Sequence, residues 1–106
     1  MPAKNMISTL DTLVSALCLD YERREEAILT KSVSRRTETE FKYYNFKIFD
    51  AAAEIVGDRF AVTYIKEIGN HVGYAKTEID CVSEITYKTH KSLVKQNIAR
   101  KLHLCD

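Results

Sequence analysis

An all-α bundle of four or five helices is the fold this sequence predicts, and three observations carry the prediction. Glycine and proline are scarce, three and one in 106 residues, and sheets depend on the turns those residues make. Apolar residues recur at three-and-four spacing over long windows, the period of a helix with one buried face. Hydrophobic residues at 45% and charged residues at 29% give the balance of a folded chain, and the length suits one core rather than two. Residues 1–106 therefore read as a single helical domain, with two long scaffold helices over 8–57 and a helix-turn-helix-like part over 58–104.

Ser8 is placed to cap the first helix, with Asp11 three residues on as its partner in a capping box. Leu10, Val14, Leu17, Tyr21 and Ile28 share one face while Asp20, Arg23 and Glu26 lie opposite, which predicts an amphipathic helix of about 20 residues. That spacing also suits the seam of a homodimer, although burial against the chain's own second helix is the commoner outcome. Thr30 to Arg36 is polar and reads as a loop. Thr37 and Glu40 form a second capping box, after which Phe41, Tyr44, Ile48, Ala51, Ala52 and Ile55 mark a buried face ending at Gly57. Ala51 to Ala53 would let another helix approach closely, and Tyr43, Phe46 and Phe49 widen the apolar face toward a second contact. Asp58 is the expected cap of a third helix carrying Phe60, Ala61, Tyr64, Ile65, Ile68 and Val72, stopped by a left-handed Gly73.

Function is best sought in Ile68 to Leu102, where two registers of a DNA-reading element compete. In the first, the helix ending at Val72 supports, Gly73 to Ala75 turn, and Lys76 to Val82 begin the reading helix. Gly69 is then small where two helices touch, Tyr74 plugs the corner, and Ile79 and Val82 face inward. In the second, Ser83 caps the reading helix, and Thr86, Tyr87, Lys88 and Lys91 face the groove. Here Lys88, Lys91 and Lys95 share one side and Tyr87, Val94, Ile98 and Leu102 the neighbouring apolar stripe. The second is preferred because Glu78 and Asp80 of the first would sit near phosphate, whereas Glu84 at a helix start suits the dipole. Charge follows the same division. Up to Glu84 there are 11 basic and 14 acidic residues, whereas beyond it Lys88, Lys91, Lys95, Arg100 and Lys101 face Asp106 alone.

The run VSEITYKTHKSLVKQNIARKL resembles the C-terminal segment of the ArpU and RinA type phage transcription regulators, a segment similar in turn to the DNA-reading part of sigma-factor region four. Ser83, Thr86, Tyr87, Lys91, Val94, Ile98, Ala99 and Leu102 stand at the matching places. The likeness covers about a fifth of the chain closely. It departs just upstream, where AKTEIDC marks a short supporting helix poorly. What the resemblance implies is a small cytosolic regulator carried on a prophage or similar element.

Catalytic and metal chemistry are not expected. Gly57, Gly69 and Gly73 form no phosphate-cradling loop, and His71, His90 and His103 lie apart from one another. Cys18, Cys81 and Cys105 are odd in number and lack zinc spacing, so reduced thiols are expected, with His103 and Cys105 only a weak two-ligand pair. The apolar stretch Leu10 to Leu19 is interrupted by Asp11, Thr12 and Ser15, too short and polar to span a bilayer, which favours the cytoplasm and no membrane partner.

The resulting expectation is a transcription regulator that binds double-stranded DNA without a cofactor. Lys88, Lys95 and Arg100 would anchor phosphate and Thr86, Tyr87 and Lys91 would touch base edges, with Lys76 and the cap Ser83 completing the set. So few cations call for a homodimer, through the first helix, or for RNA polymerase as a partner. The rivals are a helical protein-interaction module and a small phage structural or packaging protein.

Overall fold

The structure, a computed structural model, describes residues 2–104, with side chains from Thr9 onward. Among them lie five α-helices: α1 (Pro2–Leu19), α2 (Tyr21–Thr30), α3 (Arg35–Val56), α4 (Asp58–Gly69) and α5 (Glu84–Lys101), with a one-turn 3-10 helix at Tyr74–Lys76. No strand occurs among the described residues, and the all-α expectation holds. The central helix is α3, against which α2, α4 and α5 all pack, while α1 lies across α4 and α5. The core joins Val14 and Cys18 of α1 to Ile48, Ala51 and Ala52 of α3, Ile65 and Ile68 of α4, and Val94 and Ile98 of α5. The alanine run admits a close neighbour, as its small side chains predict: Asn97 Nδ2 of α5 donates to Ala51 O at 2.9 Å.

The expected first helix is instead two. It starts at Pro2, upstream of Ser8, whose side chain lies outside the described residues. It then breaks at Asp20, and a break leaves the last carbonyls of α1 without helical donors. Arg24, only 5% exposed, reaches back and donates from Nη2 to Leu17 O at 2.5 Å. Its Nε donates to Asn45 Oδ1 of α3 at 2.6 Å, and Asn45 Nδ2 donates to Tyr21 O at 3.0 Å. A partner on another helix thus holds the kink, which no local periodicity reveals. The apolar stripe of α1 is spent inside the chain: Val14 is buried, and Leu10 and Leu17 pack on the core.

Two helix starts move as well. Ser34 caps α3, its hydroxyl accepting from Thr37 N–H at 3.2 Å, so Thr37 lies inside the helix rather than at its cap. Asp58 is the first residue of α4 and makes no side-chain cap; Gly57 precedes it with φ 85°, a conformation L side chains rarely adopt. Phe60, expected in the core, is exposed, as are Tyr43, Tyr44 and Phe46 of α3.

The largest correction falls at the end of α4. Gly73 is not left-handed (φ −91°), and the helix stops at Gly69. His71 takes the left-handed position at φ 55°. Its N–H reaches Ile68 O at 3.3 Å and the Val72 N–H reaches Glu67 O at 2.9 Å, the paired closure of a Schellman ending. Lys76 to Val82 forms no α-helix, so the first register fails, as does the compact turn it required. The cause is Glu67, whose carboxylate accepts from Thr77 Oγ1 at 2.5 Å and from Glu78 N–H at 2.8 Å, holding this segment against α4.

Candidate nucleic-acid interface

Ser83 begins α5 as the second register requires. Its backbone is extended (φ −75°, ψ 161°), and its hydroxyl accepts from Thr86 N–H at 3.1 Å. Glu84 occupies the first turn, where a carboxylate meets the positive end of the helix dipole. Replacing Ser83 with alanine is expected to cost about 1 kcal/mol of stability, measured by urea unfolding followed by circular dichroism. A change no larger than that of a neutral surface substitution would show that the cap is idle.

One side of α5 is inside the protein. Tyr87, expected at a base edge, is 1% exposed. Its hydroxyl donates to Glu67 Oε1 at 2.7 Å and also contacts Val72 O at 3.2 Å. Tyr87 stacks on Tyr64 with centroids 5.7 Å apart, and Tyr74 closes the cluster at 5.8 Å from Tyr87. Tyr64 OH lies 3.2 Å from His90 Nδ1, and Ile79 fills the remaining apolar space. Burial, then the hydrogen bond to Glu67, pushes the Tyr87 phenol well above its usual range. Tyr87 is a packing and docking residue, and a base-edge role for it is ruled out by this burial.

The lysines are more committed than the sequence implied. Lys91 is half-buried, donating from Nζ to Val72 O at 2.6 Å and lying 5.2 Å from the Tyr87 ring. Burial, with Lys95 adding to it, holds its ammonium below the ordinary lysine range. Lys95 pairs with Asp11 of α1 at 2.9 Å, Lys88 with Glu84 at 2.8 Å, and Lys101 with Asp50 at 3.0 Å and also with Glu54. Lys76 is exposed on the 3-10 turn and Arg100 is exposed near the end of α5.

The free arc of α5 runs from Ile85 and Thr86 through Thr89, Ser92, Leu93 and Gln96 to Arg100, with Lys88 at its edge, all exposed. Beyond Glu84 the helix carries no carboxylate. Thr89, Ser92 and Gln96 went unmarked in the sequence because they bear no charge, although their spacing from Thr86 and Ile85 places them on the same side. Between α1 and α5 lies an open groove of about 580 Å³, with Leu10, Val14 and Ala99 along its apolar side and Lys91 and Lys95 along its cationic one. Among the described residues, no group of His, Cys, Asp and Glu could hold a metal ion, and no helix is long and apolar enough to cross a membrane.

Compared with known proteins, the chain matches no family profile, and no curated protein or solved structure is significantly similar to it.

Proposed function

We propose that this chain binds duplex DNA as a transcription regulator, laying the exposed arc of α5 along the major groove. The observation that supports this reading best is the make-up of that arc: hydrogen-bonding and methyl-bearing side chains, cations at Lys88 and Arg100, and no carboxylate after Glu84. A helix with its side chains is about 10–12 Å across and the groove about 12 Å wide. Gln96 suits an adenine edge, Thr86, Thr89 and Ser92 suit several bases, and the Ile85 methyls suit thymine. The Lys88–Glu84 pair is exposed, and such pairs contribute about 0–1 kcal/mol, so its exchange for a phosphate contact costs little. Relative to the expectation from sequence, Tyr87 leaves the contact set and Thr89, Ser92 and Gln96 enter it. The likeness of Ser83–Leu102 to ArpU and RinA type regulators points the same way, to a prophage-borne regulator acting as a dimer or with RNA polymerase.

Gel shifts and anisotropy titrations on duplexes flanking the gene test the reading. The double substitution Lys88→Ala with Arg100→Ala is expected to weaken binding on every sequence and to reduce the salt slope by about 2. Gln96→Ala is expected to relax preference at one base pair by roughly 1–3 kcal/mol. No affinity at low salt would sink the proposal. A protein-interaction module is the second reading, favoured by Phe46, 68% exposed beside Tyr43 on α3, and it gains if duplex binding is absent.

A further inference from the structure

We propose that the groove between α1 and α5 is a binding site for a small amphipathic anion, a monocarboxylate with an apolar tail. The tail would lie along Leu10 and the lysine stems, over a floor of Val14 and Ala99, and the carboxylate would face Lys95 and Lys91. The volume of about 580 Å³ falls in the range of small-molecule sites, roughly 300–1,000 Å³. Val14 and Ala99 are each 1% exposed and form only the closed floor of the groove, so the apolar surface open to a ligand is that of half-buried Leu10 and the carbon stems of the flanking lysines. The opposite side is strongly cationic: Lys88, Lys91, Lys95 and Arg100 against the single carboxylate Asp11.

That carboxylate indicates how an acid head is received. Asp11 Oδ1 sits 2.9 Å from Lys95 Nζ, the distance of a charge-assisted hydrogen bond, in a pair only partly shielded from water. A ligand carboxylate would take this place and leave Asp11 to solvent. Lys91 adds a reason for an anion rather than a neutral ligand. Its ammonium is destabilised by burial and by Lys95 at its side, with Glu67 and Asp11 offsetting this in part, and a ligand carboxylate beside it would act in the same direction as those two. The comparable hollow on α2, about 560 Å³, is lined by Glu22, Glu25 and Glu26 with no cation and offers no such complement. The proposal does not rest on DNA binding: the two cations assigned to the carboxylate, Lys91 and Lys95, lie outside the arc assigned to the duplex, while Lys88, Ser92, Gln96 and Arg100 belong to both the groove rim and that arc.

Octanoate is the probe and octan-1-ol its uncharged control, each titrated into the nitrogen-15-labelled full chain and followed by amide shifts. Octanoate is expected to saturate, moving Val14, Lys95 and Ala99, and to bind about tenfold tighter than octan-1-ol, the increment of one charge-assisted hydrogen bond. Lys95→Ala should remove that preference, whereas Asp11→Asn, which deletes the internal competitor, should tighten octanoate binding several-fold at unchanged helix content. Equal affinity for the two probes, shifts away from the groove, or indifference to Lys95→Ala would overturn the proposal. A failed duplex gel shift would leave these outcomes unaffected.

Discussion

Valine at Gly69 is expected to destabilise the protein by about 3 kcal/mol or more, the upper range for forcing extra carbon into a packed contact. A Cβ built at Gly69 would stand 2.5 Å from Leu19 N, 2.6 Å from Leu19 Cα and 2.9 Å from the Cys18 carbonyl carbon. All three are backbone atoms, so no side chain can rotate out of the way. The ends of α1 and α4 touch main chain to main chain here, and only hydrogen at residue 69 permits it. Relief requires α1 to lift from α4, which opens the contact among Cys18, Ile65 and Ile68. For a domain with roughly 5–15 kcal/mol of total stability, that is a large fraction, and a fall in Tm of roughly 10 °C or more follows. Alanine at the same position meets the same atoms and is expected to show most of the loss. If thermal and urea unfolding instead find Gly69→Ala within about 0.5 kcal/mol of the parent, the helices are not in contact as described.

Truncating Glu67 to alanine is the second large effect, at about 4 kcal/mol. Glu67 is 5% exposed and accepts three hydrogen bonds, from Thr77 Oγ1, Glu78 N–H and Tyr87 Oη. Removing it takes the acceptor from Thr77 Oγ1 and Glu78 N–H and leaves Tyr87 Oη only the longer contact to Val72 O at 3.2 Å, and each buried unsatisfied group costs about 1–3 kcal/mol. The loss has a location as well as a size. Amide exchange should accelerate in residues 77–79, and the near-ultraviolet signal of Tyr64, Tyr74 and Tyr87 should change, while α2 stays protected. Tyr87→Phe removes one donor with its acceptor's other bonds intact and should cost far less, about 1 kcal/mol. Equal losses from Glu67→Ala and Tyr87→Phe would contradict a carboxylate that organises the segment. Because this network seats the first half of α5, Glu67→Ala is also expected to weaken duplex binding without altering any residue of the exposed arc.

The two glycines and the carboxylate illustrate what could be read ahead of the fold. Gly69 was recognisable as a small residue at a helix crossing, but its partner is α1, not a reading helix beyond a turn. Gly73 reads as a helix stop, yet the stop is made by His71, one of the few non-glycine types that adopt the left-handed region with some frequency. The left-handed site is chosen by which backbone donors close the helix end, and Glu67 has already fixed the course of the chain there. Glu67 itself carried no signal. A glutamate on an amphipathic helix is ordinary, and its burial comes from residues ten to twenty positions away.

The candidate interface divides in the same way. Ser83, the start of α5, and the inward stripe of Val94, Ile98 and Leu102 were legible because caps and helix faces depend on neighbours within about four residues. The fate of the lysines was not. Lys95 meets Asp11 from the other end of the chain, and Lys101 meets Asp50 and Glu54 of α3. Charge count located the basic helix, but only packing decided which cations remain available and that the polar arc, rather than the lysine side, faces outward.

By itself, then, the sequence determined an all-α chain, the helix that begins at Ser83, and most of the buried stripe, all consequences of short-range periodicity and capping. Tertiary structure alone decided where α1 breaks, that Ile68 to Leu102 contains a long irregular segment with one 3-10 turn in place of a compact turn, and that Tyr87 is buried. The physical reason is common to all three. Each is set by hydrogen bonds between residues ten or more positions apart, Arg24 with Asn45 and Glu67 with Thr77 and Tyr87, and a buried polar group takes the partner that the fold brings to it.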